Sequence, residues 1–150
     1  MWYIKQTVGN ACGTIGLLHA VANNAAEISP APGSFLARFL ERTAALDAAA
    51  RAEALASDDS LDAAHAAAAL EGQSAAPEAD EEVNLHFVAF VHVDGGLYEL
   101  DGRKPCAVRH GASSADTLLA DAVAVVQREF VANAGDDVHF NVIALAPAQE

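Results

Sequence analysis

The chain is poor in cysteine, in aromatic residues and in positive charge, and each shortage narrows what it can be. Only Cys12 and Cys106 occur in 150 residues. Two thiols cannot staple a small fold as a disulfide framework, nor make a zinc site by themselves. The histidines show no close ligand spacing, so neither a metal nor an organic cofactor is predicted. Aromatics are 6% of the chain, and much of the 53% hydrophobic content is alanine. A few large apolar side chains must therefore carry the packing. Eight Lys and Arg face 21 Asp and Glu, for a formal net charge of −13. Such a surface repels phosphate backbones, which argues against nucleic acid as a partner, and it suits a basic protein or peptide segment. No charge-free apolar run of about 18 residues is present, so no membrane span is predicted. Lys5 and Gln6 stand where a signal peptide would need an apolar core. A reducing cytoplasm is the simplest compartment, and there a free thiol can serve as a nucleophile.

What is present reads as one globular domain of helices and strands. Asn10, after Gly9, is a predicted N-cap for a first helix, with Ala11, Ile15, Leu18 and Ala22 on one stripe and an end near Asn23-Asn24. Ser29-Pro30-Ala31-Pro32-Gly33 reads as a turn. Ser34 caps a second helix with Phe35, Leu36, Phe39 and Leu40 on its apolar face, and Asp47 caps a third over Ala48–Ala56. Residues 57–82 change texture, with alanine runs and a closing acidic cluster. Propensity favours helix over 61–70, and the segment after Leu70 reads as an acidic loop. Residues 85–93 are apolar on both faces, like a central strand. Asp94-Gly95 is a hairpin turn and Gly96–Leu100 the return strand. Ser113 or Ser114 opens a long amphipathic helix with Leu118, Leu119, Ala122, Val123, Val126 and Phe130 inside. Residues 140–145 read as a last strand.

Cys12 falls in the first turn of the first helix, where the helix dipole and unpaired N–H groups favour an anion and hence a thiolate. Gly13 leaves room beside the sulfur. A small buried cysteine at a helix start explains this local pattern equally well. The hairpin adds to it. A two-residue turn pairs Val93 with Gly96, which sets Asp101 opposite Val88 and on the same face as His86. Diagonal neighbours of this kind have Cα atoms roughly 7–8 Å apart, a gap that an imidazole and a carboxylate can span. A one-residue slip would separate them. The carboxylate would fix the tautomer of His86 and stabilise its imidazolium, as a general base and acid requires. His92, His19, His65, His110 and His139 have no assignable carboxylate partner and read as core or surface residues. Gln6, six residues before Cys12, would supply an amide donor beside the Cys12 N–H for an oxyanion.

The run Gln6-Thr7-Val8-Gly9-Asn10-Ala11-Cys12-Gly13-Thr14-Ile15-Gly16-Leu17-Leu18-His19-Ala20 resembles the active-site segment of the ubiquitin carboxyl-terminal hydrolases, a family of papain-like cysteine peptidases. His86-Phe87-Val88-Ala89 and Leu97-Tyr98-Glu99-Leu100-Asp101-Gly102-Arg103-Lys104-Pro105 resemble the family's histidine and aspartate segments. The order Gln, Cys, His, Asp agrees as well. The resemblance implies an α+β, papain-like fold with a central, mostly antiparallel sheet flanked by helices, in one catalytic domain over residues 1–150. It implies Cys12 as nucleophile, His86 as acid and base, Asp101 as its orienting residue and Gln6 as oxyanion donor. The implied partner is ubiquitin carrying small leaving groups, short peptides or precursor extensions, acted on by a monomeric enzyme. Residues from about 63 to 83, including Glu71-Gly72-Gln73 and Pro77, resemble the crossover loop that limits substrate size, and over that stretch the loop reading replaces the helix. Members of the family carry a substantial stretch before the glutamine, whereas five residues precede Gln6 here. The chain is therefore expected to lack the N-terminal part of the domain, and with it neighbours for some strands. Two other readings follow: a ubiquitin-binding module with weak or no turnover, and another papain-like or transglutaminase-like enzyme.

Overall fold

The computed structural model describes residues 1–58, 85–135 and 139–146. The segment assigned to the crossover loop, the helix expected over 61–70 and His65 lie outside these. The described residues divide into two compact units. One comprises Met1–Ala89 with Leu100–Ala107, and the other Phe90–Glu99 with Val108–Glu150.

The first unit is helical: α1 (Cys12–Asn23), α2 (Ala25–Ile28), α3 (Phe35–Thr43) and α4 (Ala48–Ala56). The caps of α3 and α4 are those the sequence predicts. Ser34 accepts from the Ala37 N–H, and Asp47 from the N–H groups of Ala49 and Ala50. The cap of α1 differs. Asn10 has φ 54°, a left-handed conformation, and its neighbour Ala11 holds the N-cap position with no side-chain cap. Cys12 is thus the first helical residue. The core of this unit gathers Trp2, Ile4, Ile15, Leu18, Phe39, Ala52 and Leu55.

Trp2, Tyr3 and Ile4 run through this core without belonging to a strand, so side chains satisfy their backbone instead. Asn23 accepts from the Trp2 N–H at 2.7 Å and donates to its carbonyl at 2.8 Å. His19 Nε2 accepts from the Ile4 N–H at 3.1 Å. Arg51 donates to the carbonyls of Thr43, Tyr3 and Ala44 at 2.9–3.0 Å, with its guanidinium 4.9 Å from the Trp2 ring. Helices α1 and α4 are thereby tied to one extended segment that ends at Gln6.

The second unit holds most of an antiparallel sheet of order β1-β2-β3, with β1 Ala89–Val93, β2 Gly96–Leu100 and β3 Val108–Ala112. Asp94 (φ 48°) and Gly95 (φ 75°) make the tight hairpin turn. Both positive φ angles mark a type I′ turn, whose twist matches the strands. His92 Nε2 accepts from the Gly95 N–H at 3.2 Å, so that histidine supports the turn. Three expectations change here. The first strand begins at Ala89 and not Leu85, and among the described residues β1 lies at the sheet edge. Strand β3, not foreseen, occupies the other edge. Residues 140–145 form no strand, and Val142, Ile143 and Leu145 are exposed. An apolar run becomes a strand only where it finds a ladder partner, and none is present among the described residues.

Pairing of β2 with β3 runs Leu97↔Gly111 and then Tyr98↔Arg109, leaving His110 as the extra residue of a bulge. A bulge re-aims a side chain, and His110 Nε2 reaches the buried Glu99 carboxylate at 2.8 Å. His110 therefore has the carboxylate partner that the sequence did not reveal. The helix expected from Ser113 or Ser114 starts instead at Leu118 (α5, Leu118–Val125), because Ser114 and Thr117 bond each other in a preceding turn. It continues as a π-helical turn over Val126–Phe130. Ala122 and Val125 pack on Leu97, with Phe90, Leu118 and Phe130 around them. Leu119, expected inside, is exposed.

Candidate active site

The site belongs to the first unit and is built at the two ends of the hairpin and the start of α1. His86 precedes β1 and Asp101 follows β2. Their side chains meet, the Nε2–H of His86 donating to Asp101 Oδ1 at 2.7 Å. The face shared by these residues in the sequence reading is the face on which they join. Asp101 Oδ1 also accepts from the Arg103 N–H at 2.9 Å, within the turn closed by the Lys104 N–H on the Asp101 carbonyl. Burial pushes the Asp101 carboxyl up. The Arg103 N–H, the His86 hydrogen bond and the charges of His86 and Lys104 outweigh it and hold Asp101 below its ordinary value of 3.8. The carboxylate is thus kept ionised by the groups it orients.

With Nε2 engaged, Nδ1 is the ring nitrogen of His86 left for proton transfer. It is buried and makes no hydrogen bond among the described residues. Consequently no hydrogen bond joins it to the Cys12 sulfur. Cys12 is buried at the first position of α1, a helix with neither a capping side chain nor an acidic residue in its first turn. Nothing in that turn competes electrostatically with an anion at the sulfur.

Phe87 links the two segments, and the sequence reading missed it. A Cβ at Gly13 would lie 3.8 Å from Phe87 Cδ2, and one at Gly16 would lie 3.7 Å from Phe87 Cβ. Two glycines on one side of α1 leave space that the residue next to His86 fills. The space beside Gly13 is therefore held partly by a phenyl ring. A large apolar residue facing two glycines one turn apart is the signal that could have revealed it.

Gln6 arrives by a different route. Its N–H donates to the Gly102 carbonyl at 2.9 Å, while its side-chain Nε2 donates to the Val8 carbonyl at 3.1 Å. Its Oε1 is buried without a partner. The backbone of Gln6 is thus docked on the Asp101 turn, and the amide has one further hydrogen to offer.

Residues 1–132 match the family described as ubiquitin carboxyl-terminal hydrolase, family 1. The chain belongs to that family. It is 49% identical over 148 residues to human ubiquitin carboxyl-terminal hydrolase isozyme L1, covering 99% of this chain and 65% of that protein. It is 47% identical over 145 residues to a Dictyostelium discoideum protein named "Probable ubiquitin carboxyl-terminal hydrolase", covering 97% of this chain and 56% of the other. The crystal structure of the Trichinella spiralis UCH37 catalytic domain bound to ubiquitin vinyl methyl ester is similar with a TM-score of 0.68 at 26% identity. That match covers 93% of this chain and 60% of the other. The chain thus spans between half and two thirds of the length of these relatives. Its α+β fold is the papain-like one of the ubiquitin carboxyl-terminal hydrolases.

In this member of the family one glycine brings the site's segments together. A Cβ at Gly102 would lie 2.8 Å from Ile15 Cγ2 on α1, 2.9 Å from Gln6 Cβ and 3.0 Å from the Gln6 nitrogen. Side chain and backbone both stand in the way, so the turn must retreat if a methyl group is added. Gly102→Ala should lower stability by roughly 1–3 kcal/mol, the usual cost of overpacking. Urea unfolding of the variant measures this, and an unchanged midpoint would show that the contact yields freely.

Proposed function

We propose that this chain is a thiol-dependent hydrolase acting at the C-terminal glycine of ubiquitin, on adducts with small leaving groups, short peptides or precursor extensions. The observation that carries the reading is the His86–Asp101 hydrogen bond, which leaves a buried, unpartnered Nδ1 on the segment that Phe87 packs against the start of α1. Family membership supports the reaction class. The ubiquitin vinyl methyl ester bound in the Trichinella spiralis structure supports the partner.

Nδ1 of His86 takes the proton of the Cys12 thiol, and the sulfur attacks the carbonyl carbon of the terminal glycine. The oxygen that becomes negative is met by the Cys12 N–H and the free amide hydrogen of Gln6. The C–N bond breaks as His86 returns the proton to the leaving amine, and a thioester remains. His86 then takes a proton from water, whose oxygen displaces the sulfur and frees the carboxylate. Exposed Val8, Leu17, Leu85 and Phe87, on the segments flanking Cys12 and His86, offer apolar surface for a protein substrate. Cys12 and Cys106 are both free, as suits a thiol enzyme working in a reducing compartment such as the cytoplasm. No helix of the described residues is long and apolar enough to cross a membrane.

A second reading, ubiquitin binding without turnover, is favoured by the lack of a hydrogen bond between Cys12 and His86. Ubiquitin carrying a C-terminal fluorogenic amide separates the two when given to the whole 150-residue chain. Release of the fluorophore, with covalent capture of Cys12 by ubiquitin vinyl methyl ester, is expected. Binding of ubiquitin with neither outcome would replace the enzyme by the binding module.

A further inference from the structure

Asp101 must hold one orientation if it is to hold His86, and the turn that carries it is exposed at Arg103 and Pro105. Tyr3 reaches this turn from the N-terminal segment, 98 residues away in sequence. Its hydroxyl oxygen lies 2.6 Å from the Asp101 carbonyl oxygen and 2.7 Å from that of Lys104. Its single proton serves these two acceptors in alternation, at the mouth of the turn closed by the Lys104 N–H on the Asp101 carbonyl. We propose that Tyr3 is a positioning residue, whose buried hydroxyl fixes the pitch of the Asp101 turn so that the carboxylate meets His86 in line. The role in catalysis rests on the function proposed above; the role in geometry does not.

Three observations separate this from ordinary packing. The Tyr3 ring is held independently of its hydroxyl, stacked on His19 at 5.0 Å and 12° between planes. The carbonyls keep other donors if the hydroxyl goes: Asp101 keeps the Lys104 N–H at 2.9 Å, and Lys104 keeps Lys5 Nζ at 3.1 Å. Removing the hydroxyl therefore orphans neither carbonyl, and the fold has little reason to collapse. What is lost is a tie that holds both the Asp101 and the Lys104 carbonyl to a single residue of the core. Burial, then the charges of Asp101 and Cys106, push Tyr3 up to about 12, so the hydroxyl keeps the proton it donates.

Tyr3→Phe removes that hydroxyl alone. In the 150-residue chain it should lower kcat about 3- to 10-fold, the loss expected of one buried hydrogen bond acting on the transition state, with KM within about twofold. The proton on His86 Nε2, followed by NMR as the imidazole N–H of the Asp101 hydrogen bond, should move upfield and exchange with water faster. A purely structural tyrosine would move neither. An unchanged His86 proton resonance, or an activity loss that merely follows the unfolded fraction, overturns the proposal. If the parent chain fails to turn over ubiquitin and the His86 resonance still changes in the variant, the hydrolase reading falls and the positioning role stands.

Discussion

Cys12→Ala should abolish release of a ubiquitin C-terminal amide, whereas Asp101→Asn should leave a small residue of it. Without the sulfur no thioester can form. Asp101→Asn acts through His86. Asp101 Oδ1 takes two hydrogen bonds, one from His86 and one from the Arg103 N–H. An asparagine can keep its carbonyl oxygen at that position and accept both, so the Nε2–H tautomer of His86 survives and the negative charge alone is lost. The loss of the anion removes the charge that stabilises the imidazolium. Loss of the correct tautomer costs about 10⁴ in kcat in the Ser-His-Asp enzymes; here the charge alone is lost and a thiol ionises more readily than a hydroxyl, so roughly 10–10³ is expected. KM should scarcely change, since neither side chain is asked to hold ubiquitin. Cys12→Ala should bind ubiquitin with an affinity close to that of the parent chain. Steady-state kinetics with the fluorogenic amide, and titration calorimetry with free ubiquitin, check both halves. Undiminished kcat in Asp101→Asn would remove Asp101 from the orienting role.

The pair His86–Asp101 was legible because a two-residue Asp94-Gly95 turn fixes register, and register fixes which residues share a face. Asp94 and Gly95 take the positive φ angles that such a turn demands. The caps Ser34 and Asp47 were legible for a similar reason: a short polar side chain before an apolar period satisfies N–H groups a few residues away. Asn10 has the same chemistry, yet it lies at φ 54° and Ala11 takes its place. There the backbone turn after Val8 decides the boundary, and no propensity reports it. Strand β3 escaped notice because Val108, Arg109, His110, Gly111 and Ala112 do not alternate in polarity. They form a strand because β2 offers a ladder, and the bulge at His110 breaks the period further. Phe87 and Tyr3 were invisible on other grounds. One acts by filling the space beside two glycines and the other by a hydroxyl contact 98 residues away. Such contacts follow from the packing of segments distant in sequence, and only the folded chain brings them into view.

The same N-terminal segment predicts how the protein fails in acid. His19 is fully buried beneath Trp2 and Tyr3, and burial pulls it down from 6.5 to about 4, against hydrogen bonds to Ile4 and Leu100 that act the other way. Its Nε2 lies 3.1 Å from the Ile4 nitrogen, whose N–H it accepts when neutral, and 3.2 Å from the Ile4 carbonyl oxygen. Protonation ends the acceptance from the Ile4 N–H, and it places a charge among aromatic rings. The unfolded chain pays no such penalty and takes the proton near pH 6.5. It therefore binds more protons than the native state between pH 6.5 and about 4, and native stability falls as pH drops through this window. The slope approaches about 1.4 kcal/mol per pH unit, and the whole window costs about 3 kcal/mol. That is a large share of a net stability of roughly 5–15 kcal/mol. Asp101 adds its own loss only further down, as pH falls below its ordinary value of 3.8. His19→Gln keeps an acceptor for the Ile4 N–H and cannot titrate. It should be somewhat less stable than the parent at pH 7 and nearly flat from pH 6.5 to 4.5. Urea unfolding at half-unit pH steps measures both chains. The same loss of stability in His19→Gln as in the parent would place the acid-sensitive group elsewhere. Because Tyr3 stacks on His19 and its hydroxyl reaches the Asp101 turn, the segment loosened by acid is the one that holds that turn. Activity should therefore decline in this window together with stability.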